Sequence, residues 1–372
     1  MHSLGSIWNS RFIAAALFLC SLPLSGWEIR SFDGRDFVPL GEVATFYGLG
    51  EETSPAAGSK KLRGGSREIV ATRNSREIVI DGVRHWLAFP VLEEEGRLFV
   101  SRLDLGKTID PAFRPTLIAG FPSVMTVVLD PGHGGKDNGA RSPYEHEKNF
   151  ALDVARRVRD SLKKSGVRVL MTRNNDSFIE LQNRAAFASR LSNVIFVSIH
   201  FNAADTNLSA NGFEVFCVTP RGAPSTAYEQ TRIRDMVEEN GNDHDLHSFA
   251  LANTVYHAML GRTDMADRGV KRARFAVLRL AAVPAVLIEG GFLSNSGDAR
   301  KIASKQWRDN YAAAIATGIL EYKKLAEQKI APRQVAAYRH PESAPASVAA
   351  AAAKPAAIPS SIPGVALREL PE

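Results

Sequence analysis

Apolar positions along this chain follow two rhythms. From Trp27 to about residue 105 they come as short runs, Phe37-Val38-Pro39-Leu40, Glu68-Ile69-Val70-Ala71, Glu77-Ile78-Val79-Ile80 and Leu98-Phe99-Val100, separated by Gly, Ser, Asn and Asp. Runs of this length between turn formers predict strands, and Asp81-Gly82 supplies a hairpin turn between two of them. After Ser123 the rhythm changes. Val124 to Leu129 is an apolar, β-branched run fit for a buried strand. Glu147 to Lys164 then places Phe150, Val154, Val158 and Leu162 at four-residue spacing and stops before Gly166, which predicts a helix. Further strands are expected at 167–172, 194–199, 212–218 and 285–288, and helices at 181–191, 247–260 and 307–327. Strand and helix signals that alternate in this way argue an α/β domain.

The pattern divides the chain into a start at 1–26, a small β-rich unit at 27–110, a proline-containing connection at 111–123, an α/β domain at 124–328 and a tail at 329–372. Arg11 precedes an apolar run from Phe12 to Leu24 that is short for a membrane span and sits where a signal peptide's hydrophobic region belongs. Export is therefore expected, with cleavage near Ser25 or Gly26 and no stable membrane insertion afterwards. Lipidation at Cys20 fits poorly, because Leu19 stands where a small residue is needed. The tail is rich in Ala and Pro, with an unbroken run from Ala349 to Ala353, and is expected to be disordered. Once the start is removed only Cys217 remains, inside an apolar strand, where an inert buried thiol is expected. Hydrophobic residues make up 45% and charged residues 23%, enough for a core that needs no disulfide or metal to fold. A net charge of +6 suits an anionic partner such as wall polymer, membrane surface or nucleic acid. Nucleic acid lacks an aromatic-basic motif here and has the export signal against it.

No His-Glu-x-x-His helix, Cys-x-x-Cys pair, Gly-x-Ser-x-Gly elbow or phosphate-binding loop is present. A hydrolytic site must therefore be built from dispersed residues. Leu129-Asp130-Pro131-Gly132-His133-Gly134-Gly135 runs a strand into a glycine loop around a histidine, and Val197-Ser198-Ile199-His200 ends a second apolar strand on another. Strand ends are where α/β folds bind ligands. Glu147 lies in the first turn of the helix after the glycine loop. Glu289 ends the apolar strand Val286-Leu287-Ile288, which has no structural use for a charge at its tip. Three ligands of the His, Glu, His kind leave zinc's fourth position open, and a further carboxylate can then move the proton. The same residues also fit a reading as satisfied structural side chains, and pattern alone leaves both open.

Six ordered segments carry a resemblance. They are Leu129-Asp130-Pro131-Gly132-His133-Gly134-Gly135-Lys136-Asp137, Glu147-Lys148-Asn149, Met171-Thr172-Arg173, Leu181-Gln182-Asn183-Arg184, Ser198-Ile199-His200-Phe201-Asn202-Ala203 and Glu289-Gly290-Gly291-Phe292-Leu293-Ser294-Asn295. Together they resemble the zinc-dependent N-acetylmuramoyl-L-alanine amidases (cell-wall amidase family 3) from about residue 124 to 325. The resemblance implies a twisted central sheet flanked by helices, of the zinc hydrolase/phosphorylase-like kind. It also implies one zinc ion on His133, Glu147 and His200, a catalytic carboxylate at Glu289, and cleavage of peptidoglycan between N-acetylmuramic acid and the stem peptide's L-alanine. A periplasmic, envelope or extracellular location follows from export. A zinc peptidase acting within the stem peptide and a non-catalytic wall-binding protein are the alternatives. Phe201 departs from the small residue common after the second histidine. Glu145 could replace Glu147 by a two-residue slip, but Glu-Lys-Asn and the helix start favour Glu147. His146, His244 and His247 are expected at the surface. Arg173 and Asn202 are candidate substrate contacts, each with a structural alternative. Some family members carry an inserted helix that blocks the metal until a partner withdraws it. Here the stretch between Pro220 and His247, helix-compatible at 228–239, looks too short for that, so an activator is not indicated and constitutive activity is expected, with partial cover left open. The unit at 27–110 resembles the small N-terminal domain of copper amine oxidases and reads as a wall-docking module or as a spacer that packs on the enzyme.

Overall fold

Short alternating runs build the first part of the chain. In order these are β1 (Arg30–Phe32), β2 (Arg35–Pro39), α1 (Leu40–Tyr47), β3 (Gly50–Glu52), β4 (Ser59–Gly64), β5 (Arg67–Thr72), β6 (Glu77–Ile80), β7 (Val83–Trp86), β8 (Leu92–Glu94) and β9 (Arg97–Ser101). Side chains alternate across a strand, so Ile69, Ala71, Ile78, Ile80, Val83 and His85 are buried while Val70, Val79, Arg84 and Trp86 are half-buried on the other side. The run Phe37 to Leu40 splits: the strand ends at Pro39, which has no N–H to donate, and Leu40 opens α1. The computed structural model describes residues 27–52, 57–121 and 123–328; the signal segment expected at 1–26 and the tail expected at 329–372 lie outside the described residues.

Residues 111–121 of the segment read from the sequence as a connection are packed down instead. After α2 (Arg102–Asp104) comes α3 (Asp110–Phe113), whose Phe113 stacks on Tyr47 with ring centroids 4.6 Å apart. Ile118 is buried, and Phe121 leans on Tyr322 and His247. His247 is thereby half-buried rather than a surface group, with Nε2 3.0 Å from the Ala119 carbonyl.

The second part alternates strand and helix: β10 (Thr126–Pro131), α4 (Glu147–Lys164), β11 (Arg168–Met171), α5 (Leu181–Ser189), β12 (Val194–Asn202), β13 (Phe213–Val218), α6 (Asp245–Met259), β14 (Asp267–Ala273), α7 (Ala276–Arg279), β15 (Ala285–Phe292), α8 (Ser296–Ala303) and α9 (Lys305–Glu327). The apolar row of α4 packs with α6 and α9 against one side of the sheet. The shorter α5 and α7 cover part of the other.

One sheet of eleven strands runs through both parts, in the order β11-β10-β12-β15-β13-β14-β7-β6-β5-β4-β3, beside a smaller sheet β1-β2-β9-β8. The strands β10, β11, β12 and β15 are parallel, so their C-terminal tips share one end of the sheet. The β-rich unit expected at 27–110 adds β3 to β7 to this same sheet. Its β7 pairs with β14 through His85 and Val270, and the indole N–H of Trp86 donates to the Arg268 carbonyl at 3.0 Å.

Strand β13 runs antiparallel to β15, with Glu214 opposite Glu289 and Phe216 opposite Leu287. Its far tip, Val218, therefore points away from the end that carries Glu289. The polar stretch that follows, weighed above as a partial cover for the site, sits at the opposite end of the sheet, where Arg274 caps the Pro220 and Ala223 carbonyls. It forms 3-10 turns at Ile233–Met236 and Asn240–His244 rather than a helix over 228–239. No helix of the described residues is long and apolar enough to cross a membrane.

Candidate metal and catalytic site

The site grows from the loop after β10. A Cβ on Gly132 would lie 2.2 Å from Cε1 of His200, so only glycine lets the two histidine-bearing segments meet. His133 follows in the left-handed region, at φ 59. That unfavourable conformation is held by two buried guanidinium groups. Arg184 donates to the Pro131 and His133 carbonyls at 2.8 and 2.6 Å, and to Asp130 Oδ1 at 2.9 Å. Asp130 itself is fully buried and also accepts from Thr172 and Ser198. Arg173 donates to the carbonyls of Pro131, Gly132, Lys148 and Asn175. It is 3% exposed, so this candidate substrate contact is instead a post that ties the loop to the start of α4.

Three side chains converge at the tips of β10 and β12. His133 Nε2 lies 3.0 Å from Glu147 Oε1, and His200 Nδ1 lies 2.9 Å from the same oxygen. Ligand atoms of all three fall within 4.8 Å of one another, and all three residues are buried. Zinc bonds of about 2.0–2.1 Å in a tetrahedron set its donors roughly 3.3 Å apart, so this trio matches the size of the ion. Asp137 Oδ2 meets His133 Nδ1 at 2.8 Å, which leaves Nε2 facing the centre. Glu147 is fixed from both sides: the Ala140 N–H donates to Oε2 at 2.8 Å and the Phe201 N–H to Oε1 at 3.1 Å. Glu145 is exposed and its carboxylate accepts from the His146 N–H, so the ligand does not slip to it.

Electrostatics agree with this reading. Burial opposes a charge on His133, yet hydrogen bonds to Asp137 and Glu147 carry the imidazole up to about 9. Burial likewise opposes ionisation of Glu147, but the two imidazoles outweigh it and hold the carboxyl well below its usual range. Burial keeps His200 low. The pocket thus favours positive charge between an ionised carboxylate and two imidazoles, the pattern a dication satisfies.

Glu289 lies on β15 in register with His200 on β12. It is 5% exposed, and its Oε2 has no hydrogen-bond partner among the described residues; the buried hydroxyl of Tyr311 likewise lacks one. Burial, then the charges of Glu147 and Glu214, push its carboxyl well above the ordinary range. A buried carboxylate oxygen with no partner calls for a reason, and the adjoining His133, Glu147 and His200 group offers one. Glu214 accepts from Asn202 Nδ2 at 2.7 Å, from Arg268 Nε at 2.8 Å and from Lys271 Nζ. Asn202 thus commits its amide to Glu214. The sequence did not single out Asp137 or Glu214. Asp137 carried a weak signal, a carboxylate four residues after His133; Glu214 carried a stronger one, a charge inside an apolar strand, the signal that drew notice to Glu289.

Comparison with known proteins adds an independent line. The chain matches the family model described as N-acetylmuramoyl-L-alanine amidase over residues 127–321, more than half of its 372 residues. It is 35% identical over 226 residues to the N-acetylmuramoyl-L-alanine amidase AmiC of Escherichia coli O6:H1, covering 55% of this chain and 54% of that protein. It is 34% identical over 197 residues to LytC of Bacillus subtilis, an amidase of the same name, covering 53% of this chain and 35% of the relative. The chain thus spans about half the length of these curated relatives, or less. Among solved structures, AmiC2 of Nostoc punctiforme shares 34% identity, covers 55% of this chain and 99% of its own, and has a TM-score of 0.45.

Proposed function

The chain belongs to the N-acetylmuramoyl-L-alanine amidase family, and on that premise we propose that it is an exported, zinc-dependent hydrolase of peptidoglycan. In this reading it cuts the amide between N-acetylmuramic acid and the L-alanine of the stem peptide. The observation that carries it is the meeting of His133 Nε2 and His200 Nδ1 on one Glu147 oxygen, at 3.0 and 2.9 Å, beside the unpartnered Oε2 of Glu289. His133, Glu147 and His200 would hold one zinc ion, which supplies a Lewis acid able to polarise a carbonyl and acidify water.

The chain's own groups supply the rest. Glu289 Oε2, buried beside the ligand group and without a partner among the described residues, takes a proton from the attacking water and passes it to the departing amide nitrogen. Asp137 holds His133 in one tautomer, and Arg173 with Arg184 keeps the glycine loop in its strained shape. The apolar run from Phe12 to Leu24 supports export to the periplasm or cell envelope. The division into a wall-facing unit at 27–110 and a catalytic unit at 124–328 belongs to this proposal too. With the stretch after β13 at the other end of the sheet, the reading needs no activator.

Digestion of isolated sacculi with the mature protein, with and without chelator, tests the proposal. Chelator-sensitive release of free stem peptides, leaving lactyl carboxylates on the sugars, is expected. Fragments cut within the stem peptide would instead make it a peptidase. No cleavage by the zinc-loaded protein would sink the enzyme reading.

A further inference from the structure

The sheet's two sides are not dressed alike. On β4 to β7 the inner side, with Leu62, Ile69, Ile78 and Ile80, is sealed by residues of α1 and α3. The outer side of the same strands carries Lys61, Val70, Val79, Arg84 and Trp86, all half-buried, and none belongs to a core cluster. Strand register connects this bare face to the site. Glu289 pairs with His200 and with Glu214, so all three project from one side of the sheet. Glu214 binds Lys271 on β14, and the Lys271 ammonium lies 5.2 Å from the Trp86 ring. Arg84 pairs with Val79, Val79 with Val70, and Val70 with Lys61. One continuous side of the sheet therefore carries the catalytic carboxylate at one end and a bare strip at the other. Six strand steps of about 4.8 Å separate β15 from β4, on the order of 30 Å.

We propose that this strip is an extended binding track for the glycan strand of the polymer, along which sugars beyond the cleaved muramoyl unit lie on β7, β6, β5 and β4. The inference rests on the amidase reading of the site. Three features select a sugar chain. Trp86 offers an aromatic plane whose N–H is already tied to the Arg268 carbonyl, so the ring is fixed. Val70 and Val79 extend the apolar floor, which suits the C–H face of a pyranose. Around them, Arg84 pairs with Glu77 and lies 3.7 Å from Asp267, Lys61 lies 3.2 Å from Glu68, and the exposed Arg63 on the same side stands opposite Glu68 in register. Paired side chains give fixed donors and acceptors for hydroxyl and acetamido groups while leaving the strip without the excess positive charge an anionic lipid surface requires. Strand register puts the strip on the same side of the sheet as Glu289, with the buried Glu214–Lys271 pair between them.

The experiment compares cleavage of isolated sacculi with cleavage of a soluble disaccharide-tetrapeptide by the same zinc-loaded, full-length protein. The double variant Val70→Glu/Val79→Glu places two charges in the middle of the strip, on side chains outside the cores. The ratio of the sacculus rate to the soluble rate at limiting substrate is expected to fall about tenfold, and adsorption to peptide-free glycan strands to fall with it. A ratio within about twofold of the parent's overturns the track, since tenfold corresponds to only one lost contact's worth of affinity. Lys61→Ala, a gentler change, is expected to lower the ratio about threefold and carries the test if circular dichroism shows the double variant unfolded. Adsorption of the parent to anionic vesicles but not to glycan strands would assign the face to lipid and overturn the proposal. If the parent cleaves neither substrate, it is the amidase reading that has failed; if it cleaves both and the variant ratios are unchanged, only the track has.

Discussion

Replacing Glu289 with Gln separates what the site does from what it costs the fold. The side chain is buried to 5% exposure with Oε2 unpartnered, and the carboxylates of Glu147 and Glu214 act on it. Gln keeps the shape and removes the ionisable oxygen. If Glu289 carries the proton, turnover on sacculi falls by roughly 100-fold or more, which is about 2.7 kcal/mol of barrier. The same change removes a buried ionisable group set against the charges of Glu147 and Glu214, so chelator-treated protein should be at least as stable as the parent. Zinc content should stay at one per chain, because the ligands are His133, Glu147 and His200. The assays are elemental analysis, urea unfolding of the stripped protein, and mass spectrometry of digested sacculi. Loss of zinc, retention of more than about a tenth of the activity, or a stripped variant less stable than the parent would each refute the assignment.

Three further outcomes are expected. Asp137→Asn should weaken zinc binding by about 10- to 100-fold in a chelator competition, because the carboxylate that fixes the His133 tautomer is gone; unchanged affinity would mean that the loop alone orients the ring. Gly139→Ala should lose zinc while circular dichroism stays native, since the residue sits at φ 65 and its Cβ would lie 2.5 Å from Glu147 Oε2. His85 is buried at the β7–β14 junction, and burial lowers its imidazole from 6.5 to about 4. The unfolded chain therefore takes up a proton below 6.5 that the folded chain refuses. Stability is full above 6.5 and should fall by about 3 kcal/mol as the pH drops through 4. Urea midpoints of the parent and of His85→Gln across that window measure the difference.

Much of this was written locally in the chain. The helix at Glu147–Lys164 was legible to the residue because its apolar row and closing glycine are local signals. His133, His200 and Glu289 were legible because each interrupts or ends an apolar strand, where a polar group needs a reason. Strand β14 was not. Its sequence, Asp-Arg-Gly-Val-Lys-Arg-Ala, reads as a polar loop, and it is buried only because Lys271 and Arg272 find Glu214 and Asp245, partners distant in the chain. Packing of the first unit on the enzyme was one of two open readings, but its form as a shared sheet was illegible, because the pairing of His85 with Val270 leaves no periodic trace. Arg173 was the opposite case. Its strand-to-loop turn left a substrate carboxylate and an acid within the fold both open as partners, and the groups that bind it are four carbonyls close in space instead.

The shared sheet has a consequence for cutting the protein apart. A fragment that begins at residue 124, where sequence reasoning puts the catalytic unit, would strip β7 from β14 and leave that strand as a raw edge. Unpaired N–H and C=O groups along it would offer a template to other chains, and Trp86 would no longer shield Lys271. Such a fragment should aggregate where the longer chain does not. The strands before residue 110 are thus a stopper for the catalytic sheet as well as a neighbour to it.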